Sequence, residues 1–195
     1  LTSHLVSRRR YEVGIRMALG APAMGLIGLV LGQSLRLILT LGGWIRKSKG
    51  SFRLTRRGEK SVKNGFSTED FLRLFWTFTG KFNWAFQDGY QEFVIIQRAY
   101  LFSLLLVHRK ARAPVDDFNL APHFVRAFPV VLTEAERLPY DPFGEVGRCF
   151  SLRFFERFCA YFGLIETEPK SDDPFERRFR FRTSAFFDKL LIWKI

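Results

Sequence analysis

The feature that most constrains the fold is an uncharged, strongly apolar run over residues 17–35, which resumes after Arg36 and reaches Ile45. As a helix, residues 23–45 would be about 34 Å long, against about 30 Å for the hydrocarbon layer of a bilayer. The Leu, Ile and Val residues of this stretch favour insertion by about 3 to 7 kcal/mol, while Arg36 near its centre opposes it by about 3 kcal/mol. The run therefore predicts either a marginal membrane helix or an amphipathic helix that packs on the rest of the protein.

The positive charge of the chain is concentrated at its N-terminal end. Residues 1–66 hold 13 Lys or Arg against two acidic residues, whereas the remainder is almost neutral, within a total net charge of +12. Such an asymmetry indicates that the first third of the chain meets a polyanion, either lipid headgroups or nucleic acid. The basic residues predicted to rest on an anionic membrane surface are Arg46, Lys47, Lys49, Arg53, Arg56, Arg57, Lys60 and Lys63.

The rest of the sequence predicts a mainly α-helical, aromatic-rich domain with one small antiparallel β-hairpin. Ser67 and Asp70 have the spacing of a capping box that opens a helix. Residues 93–108 are apolar on nearly every face and too short for a bilayer, so they predict a helix at the centre of the core. Residues 164–168 and 177–182 predict the two strands of the hairpin, and Ser184 the cap of a last helix.

One part of the N-terminal segment carries a family resemblance. The sequence EVGIRMALGA, residues 12–21, resembles the FtsX-like permease family of ABC transporters, and the similarity covers residues 1–43. In that family the stretch connects two membrane helices and contacts the partner ATPase. The resemblance implies that the residues at such a contact are Glu12, Arg16, Ala18, Leu19, Gly20 and Ala21.

The chain from residue 52 resembles uncharacterised bacterial proteins, and its C-terminal end is similar to a winged-helix unit in its order of helix, strand, turn, strand and helix. FRLTRRGEK, residues 52–60, is also similar to the exit strand and helix of an earlier unit of this kind. Winged helices bind DNA through a recognition helix and a basic wing. The resemblance implies that the residues available to nucleic acid are Arg153, Arg157, Arg178, Arg180 and Arg182. The acidic residues of the partner strand and turn offer a second interpretation, in which these wing arginines form cross-strand ion pairs.

Motifs for catalysis, nucleotide binding and metal binding are absent from the sequence. It contains no phosphate-binding loop, no G-x-S-x-G nucleophile elbow and no H-E-x-x-H zinc motif. Cys149 and Cys159 lie ten residues apart on different faces of one predicted helix, which predicts two reduced, buried thiols rather than a disulfide. We therefore expect a protein that is not an enzyme and holds no cofactor or metal.

These observations divide the chain into a permease-like membrane or amphipathic segment (1–45), a basic linker with a partial winged-helix remnant (46–66) and the helical domain (67–195). The first functional prediction is a non-catalytic interaction protein on the cytoplasmic side of a membrane, with lipid and a transporter ATPase or another membrane helix as partners. The alternative is a soluble, cytoplasmic winged-helix regulator that binds nucleic acid.

Overall fold

The computed structural model describes residues 33–86, 88–135, 141–169 and 179–192. The chain divides into two compact units, and the boundary between them lies between Asp88 and Gly89. We call the described residues before this boundary the first unit and those after it the second unit. The helical domain drawn from the sequence begins earlier, at residue 67, so this boundary assigns one of its helices to the first unit.

The first unit contains three helices and one β-hairpin. Its elements are α1 (Gln33–Leu41), β1 (Ile45–Ser48), β2 (Ser51–Leu54), α2 (Arg56–Asn64) and α3 (Thr68–Gly80). The predicted capping box opens α3, because the Ser67 hydroxyl accepts from the Asp70 amide and the Asp70 carboxylate accepts from the Ser67 amide. The core of this unit is aromatic, with Trp44, Phe75, Phe78 and Trp84 all buried.

Two predictions at the start of this unit are wrong. The helix predicted to reach Ile45 ends at Leu41, because the chain turns at Gly42 and Gly43 and Ile45 begins a strand. Residues 46–50, the first part of the predicted basic linker (46–66), are not a linker but belong to β1 and the turn that follows it. Among the described residues, no helix combines the length and the apolar character needed to cross a membrane. The part of the predicted membrane helix before Gln33 lies outside the described residues.

The second unit is also mainly helical, and a small sheet packs on its helices. Its elements are α4 (Val94–Arg98), α5 (Tyr100–Lys110), β3 (Val115–Asp116), a 3₁₀ turn (Asp117–Asn119), α6 (Ala121–Ala127), α7 (Val130–Ala135), α8 (Pro142–Phe150), a π-helix that continues α8 (Ser151–Cys159), β4 (Ile165–Pro169), β5 (Phe179–Thr183) and α9 (Ala185–Leu190). The mainly helical fold and the C-terminal antiparallel hairpin, β4 with β5, are confirmed. β3 adds a third strand on the other side of β5.

Phenylalanine side chains fill the core of the second unit. Phe150 stacks on Phe124 of α6, and Phe155 of the π-helix meets Phe181 of β5, each with ring centroids 4.5 Å apart. Cys149 and Cys159 are buried free thiols, as predicted. Helix α8 therefore packs against α6, and the π-helix that continues it packs against β5.

Only one face of the apolar segment over residues 93–108 is buried in the core. It forms two helices, α4 and α5, that are separated at Ala99. Ile96, Leu104 and Val107 are fully buried, whereas Leu101 is 54% exposed. The prediction of one helix at the centre of the core is therefore correct for the inner face only, because the segment forms two helices and its other face is exposed.

Candidate functional site

The hairpin of the first unit presents its charged side chains in pairs. The register places Arg46 directly opposite Arg53 and Lys47 opposite Phe52. Because side chains alternate between the faces of a strand, Ile45 and Leu54 share the inner face with Lys47 and Phe52, and the two arginines occupy the outer face. Ile45 is buried at the inner end, and both arginines are exposed.

The turn of this hairpin is formed by Lys49 and Gly50, which both have positive φ, at 46° and 78°. A two-residue turn with positive φ at both positions has the twist that closes an antiparallel hairpin. The sequence offers Lys-Gly here rather than the Asn-Gly or Asp-Gly that signals such a turn, which explains why this hairpin was missed. Lys49 adds a further exposed cation at the tip.

The pairing of Arg46 with Arg53 is electrostatically unfavourable within the isolated hairpin, because like charges directly opposite destabilise an antiparallel pair. Neither arginine takes part in an ion pair with another residue in the part of the chain that the structure describes. This rung therefore presents two exposed cations that lie opposite each other, with no acidic partner among the described residues.

Helix α2 carries further exposed basic residues. Arg56, Lys60 and Lys63 are exposed and recur at spacings of four and three residues, so they form one stripe along the helix. The opposite face of α2 is buried at Gly58 and Ser61. Arg57 lies outside this stripe and is half-buried, with its guanidinium 3.7 Å from the Glu69 carboxylate. We use the term basic surface for Arg46, Arg53, Arg56, Lys60 and Lys63.

Thr55 joins the hairpin to α2. Its hydroxyl caps the helix by accepting from the Gly58 amide at 3.2 Å and donates to the Gly43 carbonyl oxygen at 2.6 Å. Its amide donates to the Trp44 carbonyl oxygen at 2.9 Å. Three bonds from one residue therefore fix the start of α2 against the start of β1.

A buried chain of hydrogen bonds then links the hairpin, α2 and α3. The Trp44 indole N–H donates to Ser61 Oγ at 3.2 Å, and the Ser61 hydroxyl donates to Asp70 Oδ2 at 3.0 Å. Trp44, Ser61 and Asp70 are 4%, 5% and 7% exposed, so each bond is shielded from water. This chain of hydrogen bonds holds the first hairpin and α2, which carry the basic surface, in a fixed arrangement with α3.

We expect Ser61→Ala to destabilise the protein by about 1 to 3 kcal/mol, because it leaves the Trp44 indole N–H without its buried acceptor. Chemical denaturation monitored by circular dichroism measures this change. The matched control is Ser51→Ala on the exposed hairpin, which is expected to change stability by less than about 0.5 kcal/mol. Equal effects of the two changes would contradict a structural role for the buried chain.

The C-terminal hairpin differs from the first one in its electrostatics. Glu166 lies opposite Arg182 and Glu168 opposite Arg180 in the register. The Arg182 guanidinium makes a two-point contact with the Glu166 carboxylate, at 2.8 and 2.9 Å. Arg180 also donates to the Pro114 carbonyl oxygen at 3.2 Å. Opposite charges therefore face each other across this hairpin, and Arg178 lies outside the described residues.

Arg153 is not available as part of an exposed helix face. It is 1% exposed, and its guanidinium donates to the carbonyl oxygens of Gln91 and Glu92, to the former at 2.6 Å. Arg157 is half-buried. The expectation that the helix before the C-terminal hairpin offers Arg153 to nucleic acid is therefore wrong, because that side chain is used inside the protein.

The other predicted site residues are placed as follows. The permease-like contact residues, Glu12 to Ala21, lie outside the described residues. The basic residues predicted to rest on a membrane surface lie on the first hairpin and α2, and all except Arg57 are exposed. Sequence reasoning therefore found these cations but missed the hairpin and the Trp44–Ser61–Asp70 chain that position them.

Two titratable groups among the described residues of the second unit have shifted pKa values. Burial raises the pKa of the Cys159 thiol well above its ordinary value, so it stays protonated at neutral pH. The hydrogen bond from Arg112 lowers the pKa of Asp188, and the two residues form an exposed ion pair. Among the residues that the structure describes, no group of three His, Cys, Asp or Glu side chains could hold a metal ion.

Comparison with family profiles, with curated proteins and with solved structures finds no match to this chain.

Proposed function

We propose that this protein is a non-catalytic nucleic-acid-binding protein that contacts phosphates through the basic surface of its first unit. The observation that carries the proposal is the rung of Arg46 opposite Arg53, both exposed and without an acidic partner among the described residues. The regularly spaced phosphates of a nucleic acid neutralise the charges of two such arginines, and release of the counterions of the nucleic acid drives binding.

The arrangement of the elements supports the same proposal. Residues 33–64 form a helix, two antiparallel strands and a second helix, and β2 and α2 are a strand and a helix in the order that the resemblance of residues 52–60 implies. The C-terminal end repeats this order with β4, β5 and α9, but there the arginines face glutamates. We therefore assign the phosphate contacts to the first hairpin and α2, and not to the arginines of the C-terminal hairpin.

The membrane-associated interaction protein is the rival proposal, because lipid headgroups also carry phosphate. Helices that lie in a membrane interface combine a basic face with an apolar face that enters the lipid. In α2 the face opposite the basic stripe is already occupied, since Gly58 packs against the Trp44 carbonyl and Ser61 bonds to Asp70. Binding of α2 to a membrane would therefore depend on charge alone, which is the reason that we favour nucleic acid.

We expect the double change Arg46→Thr with Arg53→Thr to weaken binding of the full chain to a labelled 20-base-pair duplex. Each lost phosphate contact reduces the slope of log affinity against log salt by about 0.9, so the slope falls by about 2. Fluorescence anisotropy over a series of salt concentrations measures both quantities. Folding stability should hold or rise slightly, because the change removes a repulsive pair.

The control for this test is Arg182→Thr, which makes the same chemical change on the C-terminal hairpin. We expect duplex affinity and salt slope to stay unchanged in that variant, since Arg182 is paired with Glu166. Equal losses in the two variants would contradict the assignment of the site. Binding to vesicles that contain anionic lipid, with no binding to duplex, would establish the rival proposal instead.

A further inference from the structure

Phe52 is an exposed aromatic ring on the face of the first hairpin opposite to Arg46 and Arg53. It lies on β2 opposite Lys47, and its side chain is 45% exposed. The next rung on the same face, Ile45 opposite Leu54, turns inward, with Ile45 buried. Phe52 therefore lies at the outer end of an apolar face, where the hairpin leaves the core.

A second cation lies over this ring. The guanidinium carbon of Arg36, which α1 carries, is 5.6 Å from the centre of the Phe52 ring. This distance is within the range of a cation–π contact. The ring thus has a guanidinium from α1 over it and lies opposite Lys47 of β1 in the register, while its side chain is 45% exposed.

These neighbours distinguish Phe52 from two other exposed apolar side chains of the first unit. Leu72 and Trp76, the exposed apolar pair of α3, lie on a helix, whereas Phe52 has a lysine directly across the strand pair and an arginine over its ring. An aromatic ring among cations is the combination that binds single-stranded nucleic acid, because the ring stacks on a base and the cations bind the backbone phosphates. In a duplex the faces of the bases are covered by their neighbours and cannot receive the ring.

Building on the nucleic-acid function proposed above, we infer that Phe52 stacks on an unpaired base and that the protein therefore prefers nucleic acid with a single-stranded segment. The base lies against the open part of the ring, Arg36 remains on the ring, and Lys47 meets the adjacent phosphate. The basic surface supplies affinity for any phosphate backbone, and Phe52 supplies the preference for unpaired bases.

The test compares three fluorescein-labelled probes with the full chain: a 20-nucleotide DNA single strand of mixed sequence, its blunt duplex, and RNA of the same sequence. We expect Phe52→Leu to weaken single-strand binding by about 10-fold, because leucine is apolar but cannot stack. Phe52→Tyr keeps the ring and should bind within about two-fold of the natural protein. Blunt duplex binding should be unchanged in both variants, and the RNA probe shows whether the sugar matters.

The matched control is Trp76→Leu, which removes an aromatic ring that is 61% exposed on α3 in the same unit. We expect it to leave single-strand binding unchanged. The inference is overturned if Phe52→Leu has no effect on the single strand, if it weakens the duplex equally, or if Trp76→Leu causes the same loss. Absence of salt-dependent binding to all three probes would instead contradict the proposed function, so the two failures are distinct.

Discussion

Arg153→Met is expected to lower the free energy of unfolding by about 3 kcal/mol. The Arg153 side chain is fully buried and donates to the carbonyl oxygens of Gln91 and Glu92. Methionine has a similar length and leaves no buried charge, but it leaves both carbonyl groups without these donors. A buried acceptor that loses its partner costs about 1 to 3 kcal/mol.

The backbone next to this contact adds to the expected loss. Phe93, which follows the two bonded carbonyls, has φ 38° and ψ 55°, in the left-handed region that non-glycine residues rarely adopt. Such a conformation costs about 1 to 2 kcal/mol and persists only where the surroundings enforce it. Arg153 holds the two residues before it, and the buried Phe93 side chain holds the residue itself. Without Arg153 we expect α4 to detach first.

Urea denaturation followed by circular dichroism measures this change, and hydrogen exchange of the amides of α4 locates it. The control is Arg148→Met on α8, where the guanidinium is 48% exposed and 3.0 Å from the Glu145 carboxylate. An exposed pair of this kind contributes less than about 1 kcal/mol. Equal destabilisation by Arg153→Met and Arg148→Met would contradict a stabilising role for the bonds that Arg153 donates to the two carbonyl groups.

Gly58→Ala is expected to destabilise the first unit by about 3 kcal/mol and, if the proposed function is correct, to weaken nucleic-acid binding, because it forces the hairpin and α2 apart. A Cβ atom at Gly58 would lie 2.2 Å from the Trp44 carbonyl oxygen and 3.0 Å from Leu54 Cδ2. The nearest of these atoms is backbone, so the strand and the helix must move apart to make room. That movement also disturbs the bonds of Thr55 and the Trp44–Ser61–Asp70 chain, which depend on the same close approach.

Thermal unfolding and duplex anisotropy of the same protein sample measure the two effects. Gly80→Ala is the matched control, because a Cβ at this position in α3 meets no atom within 4 Å. Alanine is favoured over glycine in a helix by up to about 1 kcal/mol, so this control should be neutral or slightly stabilising. A Gly58→Ala protein as stable as the Gly80→Ala protein would show that α2 does not pack on Trp44 in this way.

Features that depend on short spacings in the sequence could be predicted, and long-range contacts could not. The capping box of Ser67 and Asp70 follows from two residues three apart, and the C-terminal hairpin follows from strict alternation of Phe and Arg. The burial of Arg153 depends on carbonyl groups about sixty residues earlier in the chain, which the local helical pattern does not reveal. The local pattern therefore predicted an exposed side chain for this arginine, whereas the side chain is buried.

The candidate site shows the same division. The basic residues of the first unit are evident from composition, but their arrangement depends on a hairpin whose turn has an uncommon sequence, Lys49 and Gly50. The charged rung of Arg46 and Arg53 becomes visible only when the register is known. Apolar content alone predicted one long helix through Ile45, because it does not show that Trp44 is buried with a hydrogen bond to Ser61 of α2 or that Ile45 begins a strand.

The most direct test of the central claim is to map where nucleic acid protects the full chain. Brief acetylation of lysines with and without a single-stranded DNA probe, read by mass spectrometry, reports each exposed ammonium group separately. We predict that DNA protects Lys47, Lys49, Lys60 and Lys63, while Lys110 and Lys189, which are exposed in the second unit, react at an unchanged rate. Protection confined to Lys110 and Lys189, or no protection at concentrations where binding is measured, would contradict the assignment of the nucleic-acid site to the first hairpin and α2.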